Sequence, residues 1–179
     1  STHEKSDKLT PMTNDPSFTP PPSNSNTRVP PHNSDAEASL LGAMLLSRDA
    51  IGPAVETLSA DQFYVPAHGY IFDAIASLYG AGEPADPVTV AEELTRSGLL
   101  DQIGGPQRLL ELQTGTPASS NAARYARIVE EHALLRRLIG VAGDIVELGY
   151  SHPEDVVKTV DEAEAMMFQI AERRVVDST

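Results

Sequence analysis

The 179-residue chain has no cysteine and no tryptophan, and aromatic residues make up only 5% of it. Without cysteine there is no disulfide framework, no thiolate metal ligand and no thiol nucleophile. No apolar run approaches the roughly 18 residues that a transmembrane helix needs, and no charged-then-apolar leader opens the sequence. The lack of a spanning run and of a leader predicts an intracellular, cytoplasmic protein, whereas the lack of cysteine does not itself fix the compartment.

Basic side chains are also scarce, with 13 Lys and Arg against 26 Asp and Glu and a formal net charge of -13 at pH 7. Residues 1–31 carry three of each sign, so the excess of acid lies in the rest of the chain. So acidic a body repels phosphate backbones, and no direct binding of nucleic acid is expected. Four basic residues share one predicted helix: Arg124, Arg127, Arg136 and Arg137. They form either a solvated face or a docking face for an acidic partner.

Proline is concentrated at the start of the chain, with seven of the fourteen prolines in residues 1–31. Few sizeable apolar residues lie between them, so this segment cannot bury enough surface to offset the entropy of ordering. A disordered tail is therefore predicted over residues 1–29. Regular structure is predicted to begin at Pro30-Pro31-His32, with Asn33 or Ser34 capping the first helix.

From there on the sequence has helical periodicity and no convincing alternating strand, which predicts an all-α protein. Asp86-Pro87 is typical of a helix start and Gly98 of a helix end, and Gly42 in mid-helix predicts a close helix contact. The breakers from Thr114 to Pro117 indicate a boundary. We predict a globular helical subdomain over 30–116, a long antiparallel helical hairpin over 117–174, and the start of a linker over 175–179.

The first helix of the hairpin is predicted over 119–149, capped by Ser119 or Ser120, and carries two apolar seams at coiled-coil spacing. The first seam is Tyr125, Ile128, His132, Leu135, Ile139, Ala142, Val146 and Gly149. The second seam is Leu134, Leu138, Val141, Ile145 and Leu148. The final helix is predicted over 154–172 with the stripe Val156, Val160, Ala163, Met167 and Ile170. Two seams predict a helix that packs on two partners, one within its own chain and one in a second chain.

No pattern for catalysis or metal binding was found. The sequence contains no phosphate-binding loop of the G-x-x-x-x-G-K-[ST] type, no H-E-x-x-H and no E-x-x-H. His68 and His132 fall on or beside apolar faces, where a hydrogen-bonded structural histidine is the expectation rather than a ligand. The cluster Asp161, Glu162 and Glu164 is predicted to be a solvated acidic face, with a small hydrolase as the remote alternative.

Five blocks of residues, taken in order, resemble the N-terminal domain of bacterial replicative DNA helicases of the DnaB family. The first two are Pro30-Pro31-His32 with Asp35-Ala36-Glu37-Ala38 and Leu41-Gly42, and Asp61-Gln62-Phe63-Tyr64 with His68 and Ile71-Phe72. The next two are Asp86 with Thr89, Glu92-Glu93-Leu94, Gly98 and Leu100, and Gly104-Gly105 with Leu110 and Leu112. The last is Pro117, Asn121, Tyr125-Ala126, Ile128-Val129-Glu130 and Arg136. The resemblance covers roughly residues 29–174.

The resemblance implies a collar domain whose hairpins pair and assemble into a trimer of dimers on the helicase hexamer. It implies docking of the primase C-terminal domain, with a helicase loader as a further candidate partner. Unwinding belongs to a motor domain that binds ATP and Mg²⁺ and is absent from this chain, so no cofactor, metal site or enzymatic activity is expected here. A free-standing helical adaptor that dimerises through the same hairpin is the alternative.

Two predictions about the hairpin assign the first seam of its first helix to different partners. The final helix is expected to cover the first seam, which leaves the second seam and the arginines for the neighbouring subunit. The side chains predicted at the subunit interface nevertheless lie on the first seam: Tyr125, Ile128, Leu135, Ile139 and Ala142.

Overall fold

The structure is a computed structural model that describes residues 28–117 and 121–176, with side chains described as far as Glu172. The predicted tail, apart from its end at residues 28–29, lies outside the described residues, as do the predicted caps Ser119 and Ser120. Residues from Pro31 onward form one compact unit. Its described part contains seven α-helices and no strand: α1 Ser34–Leu46, α2 Ile51–Thr57, α3 Pro66–Gly80, α4 Pro87–Arg96, α5 Pro106–Thr114, α6 Ala122–Tyr150 and α7 Val156–Val176. The all-α prediction is confirmed.

Capping residues explain where several helices begin and end. Asn33 caps α1, its Oδ1 accepting from the N–H of Ala36 at 2.9 Å. Asp86 caps α4 by accepting from the N–H groups of Val88 and Thr89, and Pro87 occupies the first helical turn as predicted. Gly98 follows α4 with φ +72°, a left-handed conformation that glycine adopts without steric cost. At α6 the cap is Asn121, whose Oδ1 accepts from the N–H of Arg124 at 3.2 Å.

The core lies around α1, which contacts α3, α5 and α6. Leu40 and Leu41 of α1 are fully buried, together with Ile71 and Ile75 of α3. The close contact predicted at Gly42 is confirmed: a Cβ there would lie 1.9 Å from the Oγ1 of Thr116, just beyond α5. We call residues 31–117, which hold α1 to α5, the globular subdomain.

Helices α6 and α7 contact each other and form the predicted hairpin. Only the first part of α6 packs on the globular subdomain, where it contacts α1 and α2 and buries Ala126 and Val129. The turn contains His152 in the left-handed region, with φ 51°, followed by Pro153. The hairpin beyond Val129 is thus an extension that the core does not cover.

None of the helices in the described ranges is long and apolar enough to cross a membrane.

Candidate subunit interface

The five residues predicted at the subunit interface fall into two groups. Tyr125 and Ile128 are partly buried and pack against the chain's own core. Leu135, Ile139 and Ala142 lie farther along α6 and are exposed, with 47% of Leu135 and 57% of Ile139 open to solvent. The first two side chains therefore hold α6 on the globular subdomain. The prediction of a subunit contact stays open for the last three.

The assignment of the two seams was wrong. Beyond Arg136 the half-buried side chains of α6 are Val141, Ile145 and Leu148, all of the second seam, whose Leu138 is exposed. Nearer the core, Leu134 of the second seam and His132 of the first seam are both half-buried. On α7 the half-buried residues are Thr159, Ala163, Met166 and Ile170, whereas the predicted Val156, Val160 and Met167 are exposed. The second seam therefore faces α7, and the first seam faces outward. The two seams are one residue apart with the same spacing, so periodicity alone could not determine which one turns toward α7.

The exposed side of the hairpin carries many large apolar side chains, and we call this set the hairpin face. It comprises Leu135, Leu138, Ile139, Val146 and Tyr150 from α6, and Val156, Val157, Val160, Met167 and Phe168 from α7. Each is more than a third exposed, up to 78% for Tyr150. Monomeric soluble proteins rarely expose so many large apolar side chains on one element, and exposed apolar surfaces of this kind mark interaction sites. The first seam supplies three members of this face, Leu135, Ile139 and Val146.

The four arginines predicted as a docking face differ in their contacts within the chain. Arg136 is used within the chain: its guanidinium donates to the carbonyl oxygens of Pro31 at 2.8 Å and Gln62 at 2.7 Å. The same group lies over the ring of Tyr64, 5.5 Å from the centroid. Arg124, Arg127 and Arg137 are exposed. Two of the five N–H donors of Arg136 are thus used within the chain, and docking stays a prediction for all four arginines.

Arg127 lines a cleft of about 470 Å³ between α2 and the start of α6. Asp49, Glu56 and Glu130 line the same cleft, so its charge is mixed with an excess of acid. Small alanines form much of the remaining wall. The wall has none of the large apolar and aromatic side chains that line most small-molecule sites. It therefore does not make Arg127 part of a recognisable ligand site.

Glu37 is a buried functional group that sequence reasoning missed, because it was noted only as part of the first block of the family resemblance. Its carboxylate is 1% exposed and accepts from the N–H groups of Tyr64 and Val65 at 2.8 and 3.2 Å. His68 Nδ1 lies 2.9 Å away. Since a carboxylate can only accept, Nδ1 carries the proton. The spacing of Glu37 with the buried Leu40 and Leu41 is the signal that could have revealed it.

The protonation of Glu37 follows from these contacts. Burial by itself would raise the pKa of Glu37, but the hydrogen bonds from His68, Tyr64 and Val65 oppose it, and the pKa is lowered from its ordinary value. The group is therefore an ionised carboxylate that ties α1 to the start of α3. Tyr64 also stacks on His32, with ring centroids 4.0 Å apart.

His132 is the other histidine that was predicted to be structural. His132 Nδ1 lies 2.7 Å from the carbonyl oxygen of Ile128 on its own helix, so the prediction of structural histidines is confirmed for both His68 and His132. Within the described ranges, no group of three or more His, Asp or Glu side chains is arranged to hold a metal ion. The same part of the chain leaves no buried side-chain nitrogen or oxygen without a hydrogen-bond partner. What the arrangement offers is a surface for contact.

The described part of the chain is thus an all-α domain with a long hairpin that exposes large apolar side chains. Residues 29–131 match the DnaB-like helicase N terminal domain family. The chain belongs to this family, as the blocks of residues above predicted.

Two similar replicative helicases support the same family assignment. The chain is 50% identical over 157 residues to the replicative DNA helicase DnaB of Mycobacterium leprae, which covers 87% of this chain and 26% of that protein. It is 40% identical over 149 residues to the replicative DNA helicase DnaC of Bacillus subtilis, covering 83% and 33%. The chain thus spans about a quarter to a third of the length of these relatives.

Solved structures agree with the fold. The N-terminal domain of DnaB helicase from Mycobacterium tuberculosis superposes with a TM-score of 0.75 at 50% identity, over 79% of this chain and 99% of that one. A second structure is the N-terminal domain of DnaB helicase from Helicobacter pylori, described with its interactions with primase. It matches with a TM-score of 0.56 at 21% identity, over 64% of this chain and 89% of that one. At that identity the second likeness concerns the fold.

Proposed function

We propose that this chain is the assembly and docking part of a bacterial replicative helicase. In this role the hairpin face pairs with the hairpin of a second copy, and the pairs assemble as a trimer of dimers into a collar. The primase C-terminal domain docks on the collar, and a helicase loader is a further candidate partner. The chain itself performs no catalysis. ATP and Mg²⁺ are bound by a motor domain outside this sequence, and the assembly acts in the bacterial cytoplasm.

The hairpin face is the observation that carries this proposal. Its ten large apolar side chains lie on the part of the molecule that the core does not cover. Burial of apolar surface stabilises an association by roughly 25 cal/mol per Å², so a face of this kind favours a protein partner over water. A second copy suits it because a two-fold axis brings the same apolar face against itself.

The contact is expected to be modest for the isolated chain. Association costs translational and rotational freedom, and only the surplus of buried area appears as affinity. Within a ring, several such contacts act together, whereas the isolated chain forms them one at a time. Pairing should therefore depend on protein concentration.

Light scattering over a broad range of concentrations tests the pairing. We expect the mean molecular mass to rise above the 19.2 kDa of one chain as concentration increases. The mass should approach that of a dimer first and then of larger multiples. A mass of one chain at every concentration would contradict the proposal.

A further inference from the structure

The hairpin is joined to the globular subdomain along the first part of α6, which packs on α1 and α2. Val129 is the last fully buried residue of α6 in the described part of the chain, and Tyr150 ends the helix. At about 1.5 Å per residue, α6 extends roughly 30 Å past Val129. A rotation of about 10° at that point would move the tip by about 5 Å. Small changes at the link therefore become large displacements of the hairpin face.

Arg136 sits where such a rotation would be resisted. It lies about 10 Å farther along α6 than Val129, and its side chain reaches back to the globular subdomain. Its two hydrogen bonds end on different segments: Pro31 precedes α1, and Gln62 closes the 3-10 turn before α3. A single guanidinium thus ties α6 to two separate pieces of backbone. Only arginine presents donors in a planar fork that can satisfy both carbonyls at once.

The surface that receives Arg136 is itself held in place. The guanidinium lies over Tyr64, whose ring stacks on His32. The backbone N–H of Tyr64 donates to Glu37, and Glu37 is fixed by His68. A chain of contacts therefore runs from the buried carboxylate of α1 to the hairpin. We call Arg136, Tyr64, His32, Glu37 and His68 the hairpin joint.

We propose that Arg136 is a positioning residue that sets the angle between the hairpin and the globular subdomain. This inference rests on the proposed function in one respect: a fixed angle orders the hairpin face for pairing. A molecule whose hairpin swings spends less time in the orientation that a second copy can bind. Since both copies must be in the competent orientation, the apparent affinity of pairing falls by the square of the competent fraction.

The absence of cysteine makes the angle measurable. Spin labels on Gln107→Cys in α5 and Glu147→Cys in α6, both exposed positions, report the distance between the two parts. Labelled chain is diluted with unlabelled chain so that each distance belongs to one molecule. The background variants are Arg136→Gln, Arg136→Lys and Arg96→Gln. Arg96 is a matched control, because it is an exposed arginine whose carboxylate neighbours lie 3.5 and 3.9 Å away on its own helix.

For Arg136→Gln we expect the distance distribution to broaden or shift by about 5 Å, the displacement estimated above. Self-association should weaken about tenfold if about one molecule in three keeps the competent angle, because both copies must have it. Arg136→Lys should fall between the parent chain and Arg136→Gln, since its ammonium can reach one carbonyl at a time. Arg96→Gln should match the parent chain. Circular dichroism confirms that each variant compared is folded.

An unchanged distance distribution in folded Arg136→Gln would overturn the inference, even if that variant melted at a lower temperature. A merely stabilising arginine changes the melting temperature and leaves the distance alone. If Arg136→Gln does not fold, Arg136→Lys carries the test by the same criterion. A parent chain that never self-associates contradicts the proposed function only, because the distance is still measured within one molecule.

Discussion

Glu37 is a buried carboxylate whose hydrogen bonds connect α1 to the start of α3. Because its pKa is lowered in the folded chain, the ionised form stabilises the fold at pH values above the ordinary value of 4.5. That stabilisation is lost as the pH falls through the lowered pKa. Acid should therefore lower the free energy of unfolding of the chain below about pH 4.5.

We expect Glu37→Gln to lower the free energy of unfolding by about 2–4 kcal/mol at neutral pH, since an amide cannot accept all three hydrogen bonds of the carboxylate. The difference from the parent chain in the free energy of unfolding should narrow as the pH falls below 4.5 and through the lowered pKa. Urea unfolding at several pH values measures it. Glu92→Gln, at an exposed glutamate, is the control. A difference that stayed constant over this pH range would contradict the role of the ionised carboxylate.

The residue scale also marks a limit of sequence reasoning. Caps at Asn33 and Asp86 and the close contact at Gly42 were predictable, because each depends on local geometry. The uses of Glu37 and Arg136 were not. Their partners lie 27 to 105 residues away in the chain, and pairing over such distances appears only after the helices have packed.

The hairpin is the element that defines the molecule's surface. Its existence and antiparallel form followed from two long periodic segments separated by His152-Pro153. Its orientation did not, because the inner and outer seams of α6 differ by one residue. The structure turns the second seam inward, which places Leu135 and Ile139 on the outside. Three of the five residues predicted at the subunit interface, Leu135, Ile139 and Ala142, are therefore exposed and available for pairing. Periodicity could not predict this, because it does not determine which seam faces α7.

On α7 the same shift exposes Met167 and Phe168. Methionine adapts its shape to varied partners, and an exposed phenylalanine provides a large apolar area. These two side chains belong to the part of the hairpin face that α7 supplies. The face is therefore formed by both helices of the hairpin.

At the scale of the whole molecule, the family resemblance fixed the expected architecture from blocks spread over residues 29–174, and the family match covers residues 29–131. The division at residues 116–117 into a subdomain and a hairpin stays a proposal, supported by the gap between α5 and α6. The acidic body, with its net charge of -13, disfavours contact with DNA and leaves protein partners as the expected ligands.

Docking of primase is the whole-molecule prediction that concerns a partner. Titration of the assembled chain with the purified C-terminal domain of the cognate primase should give a heat of binding. The measured affinity should fall as salt is added. If the exposed arginines form the contact, reversing Arg124, Arg127 and Arg137 to Glu should weaken binding by tenfold or more, whereas Arg96→Glu should not. Absence of heat or of a mobility change with an assembled parent chain would argue against docking.

The central claim is that the hairpin face pairs with a second copy of the chain. Its most direct test is sedimentation velocity of the parent chain, Leu135→Asp and Leu46→Asp at one concentration that favours assembly. Leu46 is a matched control, because it is 44% exposed on α1 whereas Leu135 is 47% exposed on the hairpin. The account predicts that Leu135→Asp shifts the chain toward monomer with its helical content intact, while Leu46→Asp sediments like the parent. Equal sedimentation of all three as oligomers would contradict it.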